Sequence, residues 1–330
     1  MSLASDHVVS TPSSGGESEI AGRSLTQIAW ARLRRDKVAM TSVVVITLIL
    51  LFAIFAPVIC KLLGISPTEI NTDNVSDFGG LPNGFKHSGI SWQHPLGVEP
   101  QTGRDLLARL LYGSRISLLI ALSGTIITMV VGVVVGIIAG YSRGWLDTAL
   151  GRFMDIVLAF PVLLILLALS NPLTQRLEVS FHMQPNSARI LYIILVLSLF
   201  GWPYLARIVR GQVLSLRERE FVESAVAMGA GTRRILFKEI LPNLWAPILV
   251  YASLLLPTFI AAEATLSFLG VGLVPPTPSW GAMLADSVRY FRVDPAFLFI
   301  PGTYLFIVVL GFNLLGDAIR DALDPRAGRV

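Results

Sequence analysis

Six stretches of this chain, residues 38–60, 116–141, 156–175, 190–206, 241–262 and 295–316, contain no Asp, Glu, Lys or Arg. A helix needs roughly 20 residues to cross a hydrocarbon core of about 30 Å, so each stretch has about the length of one span. Lipid offers the backbone no hydrogen-bond partner, and a helix bonded within itself is the conformation such a segment can adopt. With 53% hydrophobic residues, 15% charged residues and a mean hydropathy of +0.68, the 330-residue chain holds more apolar surface than a water-soluble domain of this size buries. The expected fold class is an all-α polytopic membrane protein with six transmembrane helices.

The segments around these stretches divide the chain. Residues 1–23 are rich in Ser and Gly and are expected to form a disordered tail. Residues 24–37 mix Leu25, Ile28, Trp30 and Leu33 with Arg32, Arg34, Arg35 and Lys37, which suits a helix at headgroup level leading into the first span. That span exceeds the apolar core of a secretion signal and no A-x-A-like site follows, so 24–60 reads as an interfacial helix plus a retained anchor. A long extracytoplasmic loop, 61–112, separates it from a five-span domain, 113–317, and a C-terminal tail, 318–330. Residues 264–285 are also uncharged, yet Pro275, Pro276 and Pro278 with Gly270, Gly272 and Gly281 deny them a continuous helix. They are expected on the outer face or tucked into protein.

Six crossings bring both termini to one side. Seventeen of the 26 Lys and Arg residues fall on the terminal side, including Arg207, Arg210, Arg217, Arg219, Arg233, Arg234 and Lys238 in one loop. The positive-inside rule therefore makes the termini cytoplasmic. Asp155 and Asp317, at cytoplasmic span ends, are expected to pair with Arg152 or Arg320, and Trp202, Pro203 and Tyr204 to act as interfacial anchors.

Several chemistries are excluded. The net charge of +4 is spread between apolar stretches, which suits membrane topology better than nucleic acid. Cys60 is the only cysteine and the four histidines show no paired spacing, so no metal site is expected. The chain lacks G-x-x-x-x-G-K-[ST], so ATP and Mg²⁺ chemistry does not belong to it, and it is expected to be no enzyme on its own.

Three sets of residues stand out. Gly132, Gly136 and Gly140 recur every four residues, leaving a stripe of the second span open to helix packing. Glu263 closes the fifth span in an apolar setting, as a structural cap or as a carboxylate lining a solute pathway. In the loop 207–240, a helix is expected from about Leu216 to Met228, with Phe221, Ala225 and Met228 on one face beside Val222, and Arg217, Glu218, Arg219 and Glu223 on the wetter side. Gly229, Ala230 and Gly231 end it, Thr232 caps a second short helix, and Leu241-Pro242 opens the fifth span. An exposed apolar rod of this kind suits docking to a soluble partner.

The run Glu223, Ser224, Ala225, Gly229 and Leu241-Pro242 resembles the E-A-A-x3-G-x9-I-x-L-P loop of permease subunits of binding-protein-dependent ABC importers, with Ser224 in place of an Ala and Glu239 in place of the Ile. His94-Pro95-Leu96-Gly97, Gly103-Arg104-Asp105 and Gly113-Ser114-Arg115-Ile116-Ser117-Leu118 are similar to the stretch before the second span in the dipeptide, oligopeptide and nickel branch, C-type subunit; Val98-Glu99 replaces its usual Thr-Asp. Leu266-Ser267-Phe268-Leu269-Gly270, Pro275-Pro276-Thr277-Pro278-Ser279-Trp280-Gly281 and Asn313-Leu314-Leu315-Gly316-Asp317 also fit. The resemblance implies a type I ABC importer permease fold in a bacterial inner membrane. It also implies a B-type permease partner, two cytoplasmic ATPase subunits in whose clefts the 223–229 segment sits, an external solute-binding protein, and a cargo of di- or oligopeptides or another small solute such as nickel or glutathione. A secondary transporter or channel working without an ATPase is the alternative, but it calls for ionisable residues near mid-span, where this chain has almost none. A membrane scaffold would leave the Gly229 turn without purpose.

Overall fold

The computed structural model describes residues 25–76, 79–83 and 88–323. The expected 1–23 tail and the end of the C-terminal tail lie outside the described residues. Among those described there is no β-strand; two isolated bridges, Val75 to Pro82 and Val98 to Asp105, are the only extended pairings.

Helix α1 (Leu25–Arg35) leads into α2 (Lys37–Leu63). Asp36 separates them: its carboxylate accepts from the Val38 and Ala39 amides at 2.8 and 3.2 Å, satisfying donors that the new helix leaves open. α3 (Leu106–Tyr141) starts ten residues before the charge-free run, because Asp105 caps it by accepting from the Ala108 amide at 2.7 Å. The loop between these spans is correspondingly shorter than 61–112.

The third crossing differs from expectation. Residues 156–175 are not one helix: α4 (Trp145–Ala159) ends at Phe160-Pro161 and α5 (Val162–Phe181) follows. Proline disfavours the helical conformation of the residue before it, and Phe160 is extended. Ile156 therefore belongs to a separate helix, and the span shifts toward Phe181. α6 (Pro185–Leu216) is the fourth crossing. A short helix α7 (Glu220–Ala227) precedes a continuous helical run, 232–268, made of a first turn α8 (Thr232–Arg234), a π-helical turn, a 3₁₀ turn and α9 (Trp245–Phe268). α10 (Trp280–Ser287) and α11 (Pro295–Leu323) complete the chain, so residues 318–323 continue the last span rather than forming tail.

Among the described residues, six helical runs are long and apolar enough to cross a membrane: Lys37–Leu63, Leu106–Tyr141, Val162–Phe181, Pro185–Leu216, Thr232–Phe268 and Pro295–Leu323. The face carrying α1, α4 and α7 is called here the near face, and that carrying the 64–105 segment and α10 the far face. The main core joins α2, α3, α6, α9 and α11 through Ile49, Ile120, Ile193, Ile260 and Val308, and α10 plugs its far end with the fully buried Trp280 and Met283. Much apolar surface stays exposed, including Ile54, Ile126, Leu164 and Phe306, as lipid contact requires.

Candidate functional site

The near-face rod is built on α7. Its buried stripe is Val222 and Ala225; Val222 packs with Ile235, Ile240 and Leu244 from the run that becomes the fifth span, and with Leu205, Val209 and Val213 of α6. This differs from the expected grouping of Phe221, Ala225 and Met228 on one docking face. Ala225 is buried, while Phe221 and Met228 stay exposed together with Val226 and Phe237; Met228 is 78% exposed. Glu223 and Ser224 are exposed as well. The helix is also shorter than expected, because Arg217 to Arg219 bend between α6 and α7, with the Arg219 amide bonded to the Leu216 carbonyl at 3.1 Å.

Gly229 locks the rod's end. It has φ +78°, the Ala230 amide bonds back to the Ala225 carbonyl at 3.0 Å, and the Gly229 amide to the Val226 carbonyl at 2.9 Å. This is a Schellman closure with glycine in the left-handed position. Thr232 does not cap the next helix; Gly231 occupies that position and accepts the Ile235 amide through its carbonyl at 3.1 Å. Leu241 and Pro242 sit in the 3₁₀ turn, Leu241 half-buried and Pro242 exposed. No interruption separates that turn from α9, so the run after the Gly229 turn, on which α7 packs through Val222, is itself a membrane helix.

Two further devices hold the near face. Arg210 forks onto Asp147, and Arg207 bonds Asp155 at 2.6 Å, tying α6 to α4. The Arg210 hydrogen bond holds the Asp147 carboxyl below the usual carboxylate range. Asp155 thus pairs across helices with Arg207 and not with Arg152, and among the described residues Asp317 forms no ion pair with Arg320. Arg217 donates to the Gly140 carbonyl at 3.2 Å, closing the end of α3. Trp202 and Pro203, expected at the interface, are buried; Trp202 stacks on Phe153 at 5.8 Å, and only Tyr204 is exposed.

Gly132, Gly136 and Gly140 all face α6. A Cβ on Gly132 would stand 2.9 Å from Leu205, on Gly136 2.7 Å from the Ala206 carbonyl oxygen, and on Gly140 2.6 Å from Val213. The two backbones therefore approach closely along this stripe.

Glu263 is wholly enclosed. Ser117 of α3 donates to Oε2 and Ser267 of α9 to Oε1, each at 2.9 Å. Ser117 also lies 3.4 Å from the Trp280 amide, so one carboxylate joins α3, α9 and the start of α10. In this conformation nothing reaches Glu263 from solvent, and the arrangement is that of a structural node.

The far-face charges form a cluster that sequence reasoning missed. Glu99 forms an ion pair with Arg104 at 3.0 Å and lies 3.7 Å from Arg109, which is 1% exposed. His94 Nδ1 lies 2.8 Å from Asp105. Ser88 donates to the buried Asp294, just ahead of α11, at 2.7 Å. Burial pushes the carboxyls of Asp286 and Asp294 up, Glu99 adding to the effect at Asp286. Asp105 ahead of an apolar run was a legible cap signal; Ser88 and Asp294 are too far apart in sequence for any local pattern to link them.

Among the described residues, six helices long and apolar enough to cross a bilayer, with a short helix packed beneath one of them, define a polytopic membrane protein. The chain belongs to the family of binding-protein-dependent transport system inner membrane components, whose model matches residues 132–329. The N-terminal TM domain of oligopeptide transport permease C matches residues 24–77. The chain is 36% identical to the oligopeptide transport system permease protein OppC of Haemophilus influenzae, over 94% of this chain and 91% of that protein. It is 38% identical to the dipeptide transport system permease protein DppC of Alkalihalophilus pseudofirmus and to the glutathione transport system permease protein GsiD of Escherichia coli, over 90% of this chain and 89% of each. Among solved structures, an inward-facing MetNI methionine ABC transporter aligns with a TM-score of 0.51 and 21% identity, over 66% of this chain and 96% of that one. The fold is that of a type I importer permease, and the chain is a multi-pass membrane protein of the ABC importer permease family.

Proposed function

We propose that this chain forms half of the translocation pathway of an ATP-driven importer of di- or oligopeptides, with a B-type permease as the other half. Its near face is cytoplasmic, as the Lys and Arg distribution supports. There the segment from Phe221 to Pro242 docks into the cleft of one of two ATPase subunits, which supply ATP and Mg²⁺ chemistry. A solute-binding protein delivers cargo at the far face.

One observation carries this reading. α7 is a rod that buries Val222 and Ala225 against its own chain, yet leaves Phe221, Val226 and Met228 exposed, with Phe237 exposed on the run that follows the Gly229 turn and continues into the membrane. Such a rod transmits rigid-body motion when an ATPase pushes on it. The similarity to oligopeptide and dipeptide permeases supports the cargo class.

The test replaces Phe221 and Met228 together by Ser. Both are exposed, so membrane insertion and thermal unfolding should stay as in the unaltered chain. Co-purification of the ATPase subunits and ATP-dependent uptake into proteoliposomes should be lost. Uptake by the purified chain with no ATPase present would refute the proposal.

A further inference from the structure

Helix α4 carries chemistry that the coupling rod does not use. Met154 and Val157 bury its inner edge against α6. At helical spacing Trp145, Ala149, Phe153 and Ile156 fall on a stripe about 80° wide, and all four are exposed, Trp145 at 79%. Beyond Phe160 this apolar surface continues into the exposed Leu163, Leu164 and Leu167 of the membrane-crossing α5.

The third side of α4 is polar. It borders an open cavity of about 310 Å³ lined by Asp147, Thr148, Arg152, Asp155, Arg207 and Arg210. Arg210 and Arg207 are engaged by the two carboxylates, whereas Arg152 forms no ion pair among the described residues. The cavity therefore keeps one excess positive charge, beside the edge of the apolar stripe.

We infer that α4 lies in the near-face membrane interface and that Arg152, with Thr148 and the exposed flank of Arg207, holds the phosphate of an anionic phospholipid headgroup. The apolar stripe then contacts the acyl chains of the same leaflet. An apolar face beside a basic edge is the arrangement by which interfacial helices engage anionic lipid. Continuity with the apolar surface of α5 favours lipid over a soluble phosphate compound or a protein on the stripe. The inference requires only that the chain spans a bilayer, and it stands apart from the docking role of α7.

The test uses the full chain, with whatever subunits co-purify, carrying Cys60→Ser and a bimane label on Ala149→Cys. It is reconstituted with brominated phosphatidylglycerol or brominated phosphatidylcholine. Both lipids should quench the label, phosphatidylglycerol about twofold more strongly, and Arg152→Gln should bring the two to parity. An unquenched label would show the stripe covered by protein and overturn the inference. So would equal quenching by the two lipids in the Arg152 chain. Inorganic phosphate reversing the preference at millimolar concentration would assign the cavity to a free anion and overturn it as well.

Discussion

Ser117 Oγ donates to Glu263 Oε2 at 2.9 Å, joining α3 to α9 where α10 closes the far end of the core. With Ser267 on the other oxygen, the carboxylate is an acceptor hub among rotatable hydroxyls. Glutamine keeps one acceptor, and the serines can turn to accept from its amide. Glu263→Gln should cost about 1 kcal/mol, whereas Glu263→Ala, which leaves a void and strands the hydroxyls, should cost about 2–4 kcal/mol. Thermal unfolding of the purified protein distinguishes them. If Glu263→Gln abolished uptake while unfolding normally, the carboxylate would belong to the solute pathway instead.

The glycine stripe gives a test with an internal control. At Gly136 and Gly140 an added methyl meets backbone carbonyls of α6, at 2.7 and 2.8 Å, and backbone cannot yield cheaply. At Gly132 it meets Leu205, whose Cβ at 2.9 Å is held by its own backbone and does not move on rotation. Gly132→Ala, Gly136→Ala and Gly140→Ala should therefore each destabilise by about 1–3 kcal/mol. Gly211, with nothing within 4 Å, should accept Ala without loss. Equal effects at all four positions, measured by thermal unfolding, would contradict the close approach of α3 and α6.

The spans were legible because absence of charge over helical length is a one-dimensional signal. What failed depended on partners from elsewhere in the chain. Ile156 reads as membrane from composition, and Pro161 assigns it to another helix. Ala225 reads as a docking residue from periodicity, yet the folded chain buries it while Val222 beside it packs on Ile235 and Ile240. The pairing of Ser88 with Asp294 spans 206 positions, and its energetic logic appears only when the loop is folded onto α11.

The two faces should respond oppositely to acid. The folded pKa of Asp147 is depressed, so its contribution is complete above the usual carboxylate range and is lost as pH falls through the folded value. Those of Asp286 and Asp294 are raised, so their contribution is complete below the unfolded value and is lost as pH rises through the folded one. On moderate acidification from neutrality, the 88–105 segment should gain hydrogen-exchange protection, after correction for intrinsic rates. Asp147 should lose its pairing with Arg210 only in stronger acid. Asp294→Asn should flatten the far-face gain; an unchanged profile would assign the response elsewhere.

Gly229 separates conformation from packing at the rod. A Cβ there would meet nothing within 4 Å, so any penalty comes from φ +78° and not from a clash. Left-handed backbone costs an ordinary L-residue about 1–2 kcal/mol, less for Asn and more for β-branched side chains. Gly229→Asn should therefore retain the Schellman turn and most ATP-dependent uptake. Gly229→Val should open the turn, swing α7 off Ile235 and Ile240, and reduce uptake well below the Asn variant while membrane insertion persists. ATP hydrolysis and uptake measured together in proteoliposomes decide the matter. Hydrolysis that continues while uptake falls places the defect in force transmission, whereas equal uptake by the Asn and Val variants would mean that the turn's geometry does not govern coupling.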